Sequence, residues 1–130
     1  MNEHQRIMVV DDDREMSGFL NSMLEREGYD TIITADADDA PRLLDSIEPD
    51  LVIMEIAPRE EDSLEVLEII RRKSGAPIIV LSVDIEAASL ERAFSHGADD
   101  YIRMPFGIKS FMARVHARLR RAHENKPVEI

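Results

Sequence analysis

The chain has 130 residues, 27 of them acidic and 16 basic, for a formal net charge of −11 at pH 7. That length suits one domain around one core, and 44% hydrophobic with 33% charged residues is the balance of a folded domain in water. No stretch approaches the ~20 apolar residues of a membrane span, the start Met1-Asn2-Glu3-His4-Gln5-Arg6 lacks a signal-peptide core, and no cysteine is present, so a reducing cytoplasm is the expected home. A surface this acidic argues against the chain gripping nucleic acid by itself.

Strand and helix patterns alternate along the chain. Ile7–Val10 is a short apolar run that ends in Asp11-Asp12-Asp13. A helix is expected from about Arg14 to Glu27, with Met16, Phe19, Leu20, Met23 and Leu24 at helical spacing and Gly28 as its stop. Thr31–Thr34 reads as a second strand. Asp38 or Asp39 can cap a second helix with Pro41 in its first turn and Leu43, Leu44 and Ile47 inward. Leu51-Val52-Ile53-Met54-Glu55-Ile56 is apolar without alternation, except for the carboxylate of Glu55. Such a run is the signature of a central parallel strand buried on both faces.

Asp62 or Ser63 can cap a third helix that carries Leu64, Leu67 and Ile70 and ends in Arg71-Arg72-Lys73, cations suited to a helix carboxyl end. Pro77–Ser82 is a fourth buried strand. A helix from about Glu86 to His96 shows a thin apolar stripe of Ala87, Leu90 and Phe94, with Gly97 as its cap. Asp100–Arg103 is a fifth strand. The last helix spans about Ile108 to Ala122, with Phe111, Met112, Val115 and Leu119 on one face. The domain thus covers residues 1–122, and residues 123–130 form a tail whose Asn125-Lys126-Pro127 reads as the start of a linker to a further domain.

Five βα units with short connections predict an α/β fold: a doubly wound parallel sheet between two helical layers. The order 2-1-3-4-5 is the common arrangement for five strands. It sets strands one and three together at the switch point, where open sheets bind ligands. That order brings Asp11, Asp12 and Glu55 to one crevice. Such an oxygen-rich site suits a hard cation such as Mg²⁺, although Asp11–Asp13 equally suit capping of the first helix. Ser82 at the end of strand four and Tyr101 in strand five present hydroxyls toward the same edge. A turn cap and a solvent-facing aromatic are the simpler readings of those two. His4, His96, His116 and His123 share no i, i+4 spacing and make a poor metal set.

Val9-Val10-Asp11-Asp12-Asp13, Asp50–Glu55, Ser63–Leu67, Pro77–Ser82 and Gly97–Phe106 together resemble the receiver domain of bacterial two-component response regulators. The resemblance covers residues 5 to 122, in order and spacing, and implies the flavodoxin-like five-strand fold. It implies Mg²⁺ at Asp11, Asp12, the acid at position 55 and the backbone carbonyl of Ala57. It makes Ser82 and Tyr101 the switch pair. It places a phosphoacceptor aspartate where this chain has Glu55, and a lysine before a proline, usually with a cis bond, where it has Met104. Pro58 also falls one place early, with Arg59 in its slot, and Ser63 replaces a usual glycine.

The two main departures bear directly on phosphoryl transfer, which relies on positioning and charge neutralisation. The extra methylene of Glu55 displaces its carboxylate by roughly 1.5 Å, and errors of about 1 Å can cost a hundredfold in rate. Met104 brings no cation to the transferring group. Arg103 should point to the opposite face and not substitute. Three carboxylates about 5 Å apart at an effective dielectric near 20 would repel by roughly 3 kcal/mol per pair. A weakly held divalent cation, a proton on Glu55, or a salt bridge to Arg59 would relieve that repulsion.

Met104-Pro105-Phe106 and the arginine-rich last helix look most like the OmpR-type branch, whose members dimerise through helix four, strand five and helix five and carry a DNA-binding domain downstream. By that resemblance Arg92, Asp100, Arg114 and Arg118 lie on the dimer face. The acid that Arg92 would need falls on Ser110. The expectation is an atypical receiver, not an enzyme. It would form a weak homodimer, have a histidine kinase or other protein as partner, and reach DNA only through a downstream domain. A metal-dependent phosphotransfer or phosphohydrolase domain using Asp11, Asp12 and Glu55 is the alternative.

Overall fold

The computed structural model describes residues 5–58 and 61–124, apart from the side chains of residues 61, 123 and 124. Arg59, His4, the His123 side chain and residues 125–130 of the expected tail lie outside the described residues. The elements are β1 (Arg6–Val10), α1 (Arg14–Arg26), β2 (Asp30–Thr34), a 3-10 turn at Ala37–Asp39, α2 (Ala40–Ile47), β3 (Leu51–Glu55), α3 (Glu61–Lys73), β4 (Ile78–Ser82), α4 (Ala87–Ser95), β5 (Asp100–Arg103) and α5 (Ile108–Glu124). The five strands are parallel in the order β2-β1-β3-β4-β5. No helix among the described residues is long and apolar enough to cross a membrane.

Side-chain alternation on the central strands divides the core into two layers. Ile7 and Val9 of β1, Leu51 and Ile53 of β3, and Ile79 and Leu81 of β4 pack with Leu20 and Leu24 of α1 and Phe111 and Val115 of α5. Met8, Val10, Val52, Met54, Ile78 and Val80 face the other way, onto Leu44 of α2, Leu67 and Ile70 of α3, and Ala93 of α4. Both faces of β1, β3 and β4 are covered, so their sequences read as continuous apolar runs.

Several local expectations are revised. Asp39 makes no side-chain capping bond. Asp36 instead caps the 3-10 turn by accepting from the Asp38 N–H at 2.9 Å, and Ala40 and Pro41 then start α2. α3 begins at Glu61, which puts Asp62 and Ser63 inside its first turn. α5 continues to Glu124, two residues into the expected tail. The largest revision concerns α4. Its inward residue is Ala93, while Ala87, Leu90 and Phe94 are all exposed. The thin apolar stripe is therefore a surface stripe. Similarly, Phe19 of α1 stays largely exposed while Leu20, Met23 and Leu24 are buried.

One staple ties the amino ends of β4 and β5 to α3. Arg71, at the end of α3, donates to Asp99 Oδ2 at 2.8 Å and to the carbonyls of Gly97 at 3.1 Å, Ser74 at 3.0 Å and Ala76. The same Asp99 oxygen accepts from the Ile78 N–H at 2.8 Å. Gly97 has φ +121°, and a Cβ there would sit 2.7 Å from the Arg71 stem, so only glycine fits this close approach.

Candidate functional site

The register of β1 on β3 pairs Val10 with Met54, Asp11 follows the end of β1, and Glu55 is the last residue of β3. Asp11 and Glu55 therefore emerge side by side at the carboxyl edge of the sheet. The Asp11 N–H donates to the Thr34 carbonyl at 3.1 Å, and its Oδ1 accepts from the Asp13 N–H at 3.0 Å. Asp11 is only 5% exposed. Its Oδ2 and the Oε1 of Glu55 are fully enclosed, and no described donor reaches either oxygen.

Two enclosed acceptors without a donor require a proton or a cation. Burial, before any other cause, raises the Asp11 pKa. Burial first, and the Asp11 carboxyl second, push Glu55 up to about 8. Both shifts favour a proton held on the pair. Of the routes of charge relief expected from the sequence, a proton on Glu55 fits this geometry, while the salt bridge would involve Arg59, which lies outside the described residues.

The three carboxylates reach one crevice, as expected, but do not gather into one metal-binding group. Asp12 is exposed, and among the described residues no group of three or more His, Cys, Asp or Glu side chains is placed to hold a metal ion. Successive residues leaving a strand turn to opposite sides, which carries Asp12 away from the Asp11–Glu55 contact. Asp12 still borders the same crevice of about 660 Å³, with Asp36, Asp38 and Asp62. The donor set fits a hard cation only through the two enclosed oxygens, with water left to complete the shell. Asp13 accepts from the N–H groups of Glu15 at 3.0 Å and Met16 at 3.2 Å, so it is the N-cap of α1.

Ser82 and Tyr101 come together, but not in the acid crevice. They line a smaller cavity of about 160 Å³ with Ala57, Leu64 and Arg92, between β4, α3 and α4. Ser82 is buried, and its Oγ accepts from the Asp84 N–H at 3.1 Å, which is the turn-cap role. The half-buried Tyr101 hydroxyl donates to the Asp84 carbonyl at 2.9 Å, and its ring packs against the α3–α4 layer of the core. Tyr101 is therefore turned in and held. Asp84 went unnoticed in the sequence, though Ser82-Val83-Asp84 at a strand end has the composition of a side-chain-bonded turn. Its carboxylate accepts from the Ser89 hydroxyl at 2.6 Å and the Glu86 N–H at 2.9 Å, and the Ser89 bond holds its pKa below the usual aspartate value.

Met104 is buried in the α1–α5 layer with Phe111 and Met112, while Arg103 is exposed on the other side of the chain. Its N–H donates to the Ser82 carbonyl at 2.8 Å, and the Met104–Pro105 peptide bond is cis. Beyond it, Phe106 stacks on Phe111 with ring centres 4.6 Å apart, and Phe19 leans on Phe106 at 6.3 Å. Apolar packing takes the place of a cation at this corner.

Asp100 is closed within the chain. Arg114 approaches it at 3.4 Å and also donates to the Tyr101 carbonyl at 3.2 Å, and Arg118 stands 4.0 Å away. Arg92 is exposed and reaches the Ser89 hydroxyl at 3.3 Å. Around these charges Val83, Ile85, Leu90 and Phe94 remain exposed.

The family described as response regulator receiver domain matches residues 7–116. The chain is 36% identical over 126 residues to the DNA-binding response regulator MtrA of Mycolicibacterium smegmatis, covering 97% of this chain and 55% of that protein. It thus spans about half the length of the curated relatives it matches. Among solved structures it is similar to a two-component response regulator from Clostridium difficile, with 27% identity, a TM-score of 0.85, and coverage of 95% of this chain and 100% of that one. It is also similar to HP1043, an orphan response regulator of Helicobacter pylori, with 28% identity, a TM-score of 0.77, and coverage of 88% and 96%. The family match, the curated relatives and the structural neighbours agree, and the chain belongs to the response regulator receiver domains of two-component signalling.

Proposed function

We propose that this receiver works without phosphorylation and regulates through protein contacts, upstream of transcription control. The observation that carries this reading is the Asp11–Glu55 pair. Its acceptor oxygens are enclosed against each other, and the corner where the family has a lysine is filled by the apolar side chain of Met104. A nucleophile that keeps its proton at neutral pH attacks phosphorus poorly, and no cation stands ready for the transferring group. The domain is therefore not an enzyme. Mg²⁺ binds weakly, at the Asp11 and Glu55 oxygens.

The inward, bonded Tyr101 supports a fixed state of the α4–β5–α5 face rather than a switching one. That face carries exposed apolar residues beside Arg92 and Arg114, a composition suited to a protein partner. A weak homodimer forms there, with a histidine kinase or another protein as further partner, in the cytoplasm. DNA is reached through a downstream domain, as the name of the MtrA relative suggests by analogy.

Incubation with acetyl phosphate and Mg²⁺, followed by intact-mass measurement, tests the reading against a phosphotransfer or phosphohydrolase domain. The expected result is an unchanged mass and no phosphate release above the protein-free rate. A stable acyl phosphate, or metal-dependent release of phosphate, would support the enzymatic alternative. Titration calorimetry should give heat for Mg²⁺ only at millimolar levels, and none for Asp11→Asn.

A further inference from the structure

The cavity of about 160 Å³ that Ser82 and Tyr101 share lies apart from the acid crevice. Its walls are mostly apolar: Ile56, Leu64, Val80, Ala93 and the ring of Tyr101. Space is left there because two lining positions, Ala57 and Ala93, carry only a methyl group. Side chains beside an unfilled space lack contact atoms on one side, so a filling group would restore them. Most polar groups at the cavity are already committed. The Tyr101 hydroxyl donates to the Asp84 carbonyl at 2.9 Å, the Ser89 hydroxyl to the Asp84 carboxylate at 2.6 Å, and Arg92 to the Ser89 hydroxyl at 3.3 Å. Asp84 and Arg92 supply one charge of each sign. Ser82 differs. It is 2% exposed, and its Oγ accepts from the Asp84 N–H at 3.1 Å, but no described acceptor takes its hydrogen. A hydroxyl can donate as well as accept, and burying it with its hydrogen unused is costly.

We propose that this cavity is a binding site for a small neutral ligand: one aromatic ring carrying an oxygen that accepts the Ser82 hydrogen. The size sets the ring count, since a cavity of about 150 Å³ holds a benzene ring. The Tyr101 ring offers an aromatic neighbour, and Leu64, Val80 and Ala93 bury the remaining edges. The charge balance sets the neutrality. An anion would meet Asp84, a cation would meet Arg92, and either would lose its hydration on entry. A bound ring would touch α3, β4, α4 and β5 together, and so hold α4 against the sheet beside the inward Tyr101. The site does not depend on whether Glu55 accepts a phosphoryl group, so it goes beyond the reading above.

The test is titration of the isotope-labelled chain with phenol, followed through its amide NMR shifts. Saturable shifts in the millimolar range are expected at Ala57, Ser82, Ala93 and Tyr101, with Asp45 and Gly75, at the opposite end of the sheet, unmoved. Ser82→Ala should weaken phenol binding about fivefold, the loss of one hydrogen bond, and leave the binding of toluene, which has no acceptor, unchanged. Leu64→Phe, at a half-buried wall, should abolish the shifts from both compounds. Should that variant fail to fold, the Ser82→Ala comparison decides alone. Benzoate should bind more weakly than phenol. Shifts that never saturate, shifts scattered over the surface, equal losses of phenol and toluene on Ser82→Ala, or tighter binding of benzoate would overturn the proposal.

Discussion

At the scale of single residues, the behaviour of Glu55 follows from its neighbour. An isolated glutamate on a surface would be ionised at neutral pH, but burial and the Asp11 carboxyl push this one up to about 8. The folded chain therefore holds a proton that the unfolded chain releases near the ordinary glutamate value of about 4.5. Between those values the native state binds more protons, so its stability falls as pH rises through the window and levels off above it. Glu55→Gln should remove this slope and leave the protein more stable than the parent at pH 8.5, by on the order of 1–2 kcal/mol once partial exposure is discounted. Thermal denaturation from pH 5 to 8.5 measures it; a parent curve that is flat or rises would contradict the shared proton. Met104 makes the complementary case. As a core side chain beside Phe111, its replacement by alanine should cost about 2–4 kcal/mol in urea denaturation.

The sequence carried much of this residue-level picture, because the position of Glu55 after an apolar run fixes where its side chain emerges. It could not divide labour within Asp11-Asp12-Asp13. One residue is buried, one exposed and one caps α1, and that outcome depends on how the chain turns on leaving β1.

Among the elements, the central strands were the most legible, because burial on both faces leaves continuous apolar runs. α4 was the least legible. Its stripe of Ala87, Leu90 and Phe94 has helical spacing, yet spacing cannot say whether a face meets the core or a partner. The Arg71 staple was also invisible: it joins residues 26 and 28 apart through carbonyls and one carboxylate, with no periodic signal. It gives a firm expectation nonetheless. Gly97→Ala combines a left-handed backbone with a 2.7 Å clash against the Arg71 stem, and should cost about 2 kcal/mol or more. An unchanged urea midpoint would show that the loop before β5 can re-route.

For the molecule as a whole, the proposed phosphorylation-independent state puts the weight on contacts made by the α4–β5–α5 face. Asp100 is already engaged by Arg114 and Arg118 within one chain, so an ion pair across a dimer must exchange for one made internally. Exposed pairs contribute about 0.2–1 kcal/mol each, so association through them should be weak. Light scattering should show an average mass that rises with protein concentration and falls back with added salt. A strict monomer at every concentration would remove the dimer from the account.

The central proposal is that two side chains, Glu55 and Met104, take phosphotransfer out of this receiver. Its most direct test is the intact mass of the parent chain and of the Glu55→Asp, Met104→Lys double variant, treated side by side with acetyl phosphate and Mg²⁺. The account predicts that the double variant gains one phosphoryl group while the parent gains none. A parent that takes up the phosphoryl group as fast as the variant would contradict it.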